Sequence, residues 1–553
     1  MMKKYISIVL AAAFALVSCN KYLDMTPTDR VSAKTIWETT QSAEYNINYL
    51  YTYIWDLNSS PTVIGLTEAL TDEMKYTSYN YNALCYIPSE MAYGGSVLKA
   101  SYVDSYMGYW GTLYTAIRQT NEALNYLHAY GQMSETDMTR LEAEIRFMRG
   151  YLYFELVKRY KDVIIYDEDL TAIAKEKALN TESEAWDFIQ KDLDFAAENL
   201  PEASAAGGRL NKGIAYGFIT RAMLYAKRYD AVIAAAQKVE TLGYKLESSY
   251  ADAITKTLEQ GNRESILQYT FDYAKGITHS FNFYYTPGGD YTLIDSKGGA
   301  YGVPTQEMVE SYEYAGSGGF PDWSEWHNPN GTTLTPPYAL LEPRFQATIL
   351  YNGADWKGRK IEPYVGGTDG WAVWKTDKEP KGKTVTGYYL RKLVDESYDV
   401  NTSASSQPFV FLRYAEVLLN KAEACVKSVT PNEADANAAV RAIRSRVGLP
   451  YTDKSGNELW DAIRQERKVE LAFEGLRYWD MRRWELGTED YPLGLANYQQ
   501  HGLKIEKNGE EFTYSYVSVD EKDRTFPAKL YRFPMPESEL NSNSKVNQYE
   551  EWK

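Results

Sequence analysis

Histidine and cysteine are scarce: four and three in 553 residues. His128, His279, His327 and His501 are scattered, so no zinc-ligand spacing can be built from them. Of the cysteines, Cys19 ends a leader-like segment, while Cys85 and Cys425 lie far apart, which excludes a disulfide-built scaffold. Cys425 sits in a helical pattern and reads as buried. No apolar run after the N-terminal one is long enough to span a bilayer. Basic charge is in deficit, with a formal net charge of -16, which argues against nucleic acid and against an electrostatic hold on anionic lipid. There is no G-x-S-x-G elbow, phosphate loop, H-E-x-x-H or EF-hand pattern. These absences remove enzymes with a local signature. A glycosidase stays open, because its two carboxylates can be distant in sequence.

What the chain has in excess is tyrosine: 49, against 17 phenylalanines and 13 tryptophans. A tyrosine or tryptophan offers an apolar face with a polar tip, which suits sugars: their C–H faces stack on a ring while their hydroxyls take hydrogen bonds. Tyr151, Tyr153 and Tyr225 lie inside helical patterns and read as packing residues instead.

The N-terminus reads as a secretory leader. Lys3 and Lys4 precede a nearly unbroken apolar stretch over residues 6–17, too short and wrongly flanked for a membrane span. It ends Leu16-Val17-Ser18-Cys19, which resembles a bacterial lipobox and makes Cys19 the expected lipidation site. Asn20, in place of aspartate, resembles lipoproteins sent on to the outer membrane. The mature chain is then expected to be anchored and not to span. Without the two lysines it is two charges more acidic still.

A chain of this length exceeds what one hydrophobic core usually serves. Helical patterns fill residues 35–276. Leu141, Ile145, Met148, Leu152 and Leu156 recur at helical spacing through EAEIRFMRGYLYFELVKRY (142–160), where Gly150 marks close contact with a neighbour. Residues 209–231, RLNKGIAYGFITRAMLYAKRYDA, read as one helix to about Lys227, a turn, and a second helix opening at Tyr229. Small residues at Ala215, Gly217 and Ala222 allow a close crossing, as in tetratricopeptide-like pairs. Similar pairs are expected at 109–127 with 141–160 and at 411–426 with 434–446; no strict repeat period joins them. Between 277 and 406 the texture turns to paired glycines, prolines and interleaved aromatics, a loop-rich insertion with short strands expected at 344–351 and 387–393. Long irregular segments in a compact protein are usually functional. The boundaries expected are 1–18 leader, 19–34 tether, 35–276 helical, 277–406 ligand-binding loops, 407–486 helical again, and 487–553 irregular.

The densest stretch is AIRQERKVELAFEGLRYWDMRRW (462–484), charged, aromatic and free of proline. It reads as a helix with Arg467, Glu470 and Glu474 on one face. Together with Arg477, Asp480 and Arg483 this group reads as packing, since arginine forks pair well with carboxylates, and not as a catalytic cluster. Asp167-Glu168-Asp169 reads as a solvated loop, a cation site being the minor alternative.

Residues 462–484 resemble, nearly residue for residue, the C-terminal signature of the RagB/SusD family of outer-membrane nutrient-binding lipoproteins. Stretches 142–160, 209–231, 411–425 and 440–449 agree with it in the same order, and YRFPMPESEL (531–540) resembles the family's ending. Lys161 stands where the family usually has glycine, and Ile164 where it has proline. The Gln548-Tyr-Glu-Glu-Trp552 ending has no counterpart in the pattern. The resemblance implies a mainly α fold of about four tetratricopeptide-like pairs. It also implies a cell-surface location and a role in passing oligosaccharide to a SusC-like TonB-dependent transporter, with no cofactor, metal or catalytic residue. Ligand contacts would come from TDEMKYTSYNYN (71–82) and from 281–326, giving Trp323, Trp326, Tyr284, Tyr285, Tyr291, Tyr79 and Tyr81 as stacking candidates. Asp72, Asn82 and Asp290 are the hydrogen-bonding ones. Two other readings stay open here: a surface-anchored glycan-degrading enzyme, and a transporter partner with peptide cargo or none made of sugar.

Overall fold

The computed structural model describes residues 33–58, 67–77, 91–170, 176–203, 208–291, 298–373, 382–401 and 404–553. Its scaffold is a row of helices, each packed on the next. These are α1 (Trp110–Tyr130), α2 (Glu135–Tyr160), α3 (Glu182–Asn199), α4 (Lys212–Tyr225) and α5 (Tyr229–Thr241). After a long excursion the chain returns as α6 (Tyr414–Lys427), which packs on α4 and α5, followed by α7 (Glu433–Arg446) and α8 (Gly456–Glu470). This is the mainly α, tetratricopeptide-like architecture with a loop-rich insertion expected from the sequence. No helix among the described residues is long and apolar enough to cross a membrane.

Caps set the helix starts. Ser134 accepts from the Asp137 N–H, Asn211 from that of Ile214, and Thr181 with Glu184 forms a reciprocal capping box. Leu141, Ile145, Met148, Leu152 and Leu156 are buried, but so are Phe147, Tyr151, Tyr153 and Phe154 on the other faces of α2. That helix is covered all round, and its buried charges are paired: Arg149 Nε lies 2.7 Å from Asp192 Oδ2. Gly150 is where α3 comes closest, since a Cβ there would lie 3.1 Å from Leu193. Gly217 also marks a close approach, but to strands: a Cβ would meet Leu412 at 2.9 Å and Ile266 at 3.3 Å. Cys425 is buried and free.

The excursion is closed by a strand pair. Ser265–Tyr269 runs antiparallel to Phe409–Arg413, so the chain leaves and re-enters the scaffold side by side. The insertion between them has its own core, including Phe281, Tyr285, Met308, Tyr312, Phe345 and Leu390, joined to the scaffold through Val469, Ala472 and Phe473. The strands expected at 344–351 and 387–393 shrink to Ile349–Leu350 paired with Tyr389–Leu390. Pro343 at the first turn starts a helix over Pro343–Thr348 instead, its fixed φ and missing N–H being harmless there.

The region after 487 is more ordered than its sequence suggests. His501–Asn508 and Glu511–Ser518 form a hairpin around Gly509–Glu510, with Gly509 at φ 63°. The hairpin docks on the insertion through the Leu503 N–H to Thr386 O and the Val365 N–H to Ile505 O. The 548–552 ending folds back on the 531–540 segment: Gln548 exchanges hydrogen bonds with the Met535 backbone, and Trp552 Nε1 donates to Arg532 O.

Candidate functional site

The charged stretch near the C-terminus is two helices and not one. α8 ends at Glu470, Phe473 and Gly475 take φ of 60° and 76°, and α9 (Arg477–Arg483) follows. Left-handed residues end a helix, and this turn is fixed from far away in sequence. Glu73 accepts the Phe473 N–H and Glu68 that of Gly475. The expected shared face of Arg467, Glu470 and Glu474 is therefore corrected. Arg467 turns to Asp480 (2.6 Å) and Asn420 (2.7 Å), whereas Glu470 accepts from Arg413 (2.6 Å), Arg446 (2.5 Å) and Arg344 (3.1 Å).

The surrounding charges complete a buried lattice. Arg413 also reaches Glu264 and Glu474, each at 2.7 Å, and Arg483 holds Glu423 and Asp480. Burial pushes the Glu470 carboxyl up, but the three guanidiniums outweigh it and hold it well below the usual range. Glu68 and Glu73 are the opposite case. Both are buried, and burial first, then the neighbouring carboxylate, raises Glu68 well above its ordinary value. Glu68 Oε2 is buried and no donor among the described residues faces it, in keeping with a carboxyl that holds its proton. Enclosed as they are, these carboxyls hold a turn in place and do not meet a substrate.

Glu168 of the acidic loop is likewise occupied, 2.7 Å from Arg149. Asp72 is 1 % exposed and bound by Arg477 (2.7 and 3.1 Å) and Lys468 (2.7 Å). Asp290 accepts from Arg359 (2.7 Å), Trp356 (2.9 Å) and Thr286 (3.0 Å), pinning its turn to the Asp355–Lys360 region. Both carboxylates have their oxygens filled from within the protein.

The aromatic candidates separate into two places. On the short helix Phe281–Tyr285, Phe281 and Tyr285 are four apart and buried, which turns Phe283 and Tyr284 outward. Phe283 is 42 % exposed. Its ring meets Tyr284 at 5.2 Å, Tyr301 at 6.1 Å and Tyr291 at 6.5 Å, and Tyr284 meets Tyr301 edge-on at 5.0 Å. The backbone fixes this ledge: Tyr301 N–H donates to Tyr284 O, and the Tyr291 hydroxyl donates to Phe283 O. The Tyr284 hydroxyl has no hydrogen-bond partner among the described residues. Thr77 N–H donates to Tyr301 O, so strand Met74–Tyr76, paired with Gly302–Pro304, delivers its chain end to the ledge. Tyr79, Tyr81 and Asn82 follow in sequence and lie outside the described residues, as does Cys19.

Trp323 and Trp326 lie elsewhere, edge-to-face at 5.5 Å. Trp323 is 5 % exposed beside Tyr338, with its Nε1 unpartnered among the described residues. Trp326 is half-buried, donates to Leu334 O at 2.8 Å, and stands beside the C-terminal hairpin. The sequence reading missed Phe283 and Tyr301. The four-residue spacing of Phe281 and Tyr285 was the available signal for Phe283; Tyr301 joins only through the fold.

A sequence profile described as the SusD family matches residues 263–552, and one described as starch-binding associating with outer membrane matches 21–224. A SusD-like protein of Bacteroides ovatus is 23 % identical, over 98 % of this chain and 93 % of its own. A solved SusD-like protein of Bacteroides fragilis superposes with a TM-score of 0.79 at 27 % identity, covering 95 % of this chain and all of that one. A solved laminarin binding SusD-like protein superposes at 0.59 and 21 % identity, over 93 % of this chain and all of that one, a likeness of fold. With one profile covering more than half of the chain and the helical scaffold matching, the protein belongs to the SusD family.

Proposed function

We propose that this protein is a lipid-anchored, cell-surface glycan-binding protein that captures oligosaccharide and passes it to a SusC-like TonB-dependent transporter of the outer membrane. The observation that carries the reading is the ledge of Phe283, Tyr284, Tyr291 and Tyr301. Phe283 faces out, with the part-exposed Tyr284 and Tyr291 beside it and the buried Tyr301 behind them. Exposed aromatic surface of this kind marks a binding site. Such rings present a flat apolar face to a sugar's C–H surface, and the Tyr284 hydroxyl is left to hydrogen-bond. The name of the laminarin binding relative points to the same ligand class. Trp326, half-exposed, is a candidate for a second contact; Trp323, Tyr285 and Asp72 are buried, and Asp290 is held by Arg359.

The test is retention of the detergent-solubilised full chain on a panel of plant, microbial and host glycans, laminarin included. Specific retention of one glycan, lost in Phe283→Ala and Tyr284→Ala, is expected. Retention unchanged in both moves the site off the ledge, and retention on no glycan overturns the function. Co-purification with a TonB-dependent transporter, unaffected by those substitutions, checks delivery separately.

A further inference from the structure

A cavity of about 590 Å³ opens on the scaffold away from the ledge. Its walls are the C-terminal end of α2, the start of α3, the α4–α5 turn and α9. On a chain with net charge -16 it is lined by Lys158, Lys161, Lys227, Arg228, Arg482 and Arg483, opposed by Glu182 and Glu485.

Several of these cations are already matched. Arg483 is held by Glu423 and Asp480, and Arg228 by Asp187. Lys227 reaches Glu485 at 3.4 Å, an exposed pair of little strength. Deeper in, the matching fails. Lys158, Arg159 and Arg482 all cluster on the Trp479 ring, at 4.5, 4.9 and 5.0 Å. One carboxylate, Glu155, serves both Lys158 and Arg159. Arg482 is buried and spends its N–H groups on the carbonyl oxygens of Lys158, Arg159, Leu530 and Tyr531, with no carboxylate in hydrogen-bond reach. Carbonyl dipoles satisfy the donors without cancelling the charge. Lys161 adds another cation, which has no ion-pair partner among the described residues. Buried charge of one sign demands a counter-charge, and burial accordingly pushes the Lys158 ammonium down to about 7.

We propose that this cavity is a binding site for a tetrahedral oxyanion, phosphate or sulfate. A carboxylate would want a free arginine fork, and the forks of Arg482 and Arg483 are taken. What remains at the mouth is Lys161 and the weakly held, exposed Lys227, lysine point charges from the end of α2 and the α4–α5 turn, which suit a compact, multiply charged group. The proposal is independent of the sugar ledge.

The test is titration of the full chain with sodium phosphate, sodium sulfate and galactose 6-sulfate, against sodium chloride at matched ionic strength, by calorimetry and thermal melting. Saturable binding and a rise in Tm over chloride are expected. Lys161→Gln/Lys227→Gln, which alters only the rim, should weaken binding by about tenfold with unchanged circular dichroism. Galactose 6-sulfate binding more tightly than inorganic sulfate assigns the site to a sulfated saccharide; equal affinities assign it to the free ion. Equal melting in all salts without saturable heat, or full affinity in the double variant, overturns the proposal.

Discussion

At the scale of single residues, two positions carry strain or charge that their neighbours impose. Lys161 ends α2 at φ 64° and ψ -77°, and the Asp162 N–H donates to Tyr160 O across it, a γ-turn that L side chains avoid. Glycine is at ease there, as the family pattern already hints. Lys161→Gly is expected to stabilise the protein by about 1 kcal/mol in urea unfolding, strain relief exceeding the added chain entropy. Glu68 is the second. Burial and the neighbouring carboxylate hold its folded pKa well above the ordinary carboxyl value of 4.5, so the native state keeps a proton that the unfolded chain releases. Its favourable contribution is complete below about 4.5 and is lost as pH rises through the folded value. Glu68→Gln keeps an acceptor for Gly475 N–H and supplies a permanent donor to Glu73. The Tm gain of this variant over wild type should therefore grow from pH 5 to pH 8; a pH-independent difference would show that Glu68 does not hold that proton.

At the scale of elements, the junctions matter more than the helices. Arg413 ends the strand that closes the insertion, and it binds Glu264 at the opposite strand, Glu470 at the end of α8 and Glu474 in the turn. Arg413→Met leaves three buried carboxylates with less counter-charge and should cost about 3–5 kcal/mol, read as a lower urea midpoint. Gly387 sits at φ 87°, where a Cβ would run into the Leu503 backbone carbonyl. Gly387→Ala should cost about 3 kcal/mol and expose the Leu503 and Val365 amides, which join hairpin and insertion, to hydrogen exchange. The helices themselves were legible, because the Leu141 to Leu156 spacing and the turn before Tyr229 are local signals. The break after Glu470 was not, since Glu68 and Glu73 that fix it lie some four hundred residues earlier. The hairpin could have been read from Asn508-Gly509 between alternating apolar residues.

At the scale of the whole molecule, a stiff helical row holds a loop-rich insertion whose two ends are tied together at one strand pair. Many charges are used internally to join these parts, as at Arg413, and Phe283 is left exposed on the insertion. The richness in tyrosine and the loop-rich texture of the insertion were legible in the sequence. Which rings face out was only partly so: the spacing of Phe281 and Tyr285 turns Phe283 outward, whereas Trp323 is buried beside Tyr338 through the folding of its loop. The most direct test of the central claim is calorimetric affinity for whichever glycan the full chain retains, measured in wild type, Phe283→Ala and Tyr284→Ala. The account predicts an affinity loss of about tenfold or more in each ledge variant with the melting temperature unchanged. Undiminished affinity in both would contradict it.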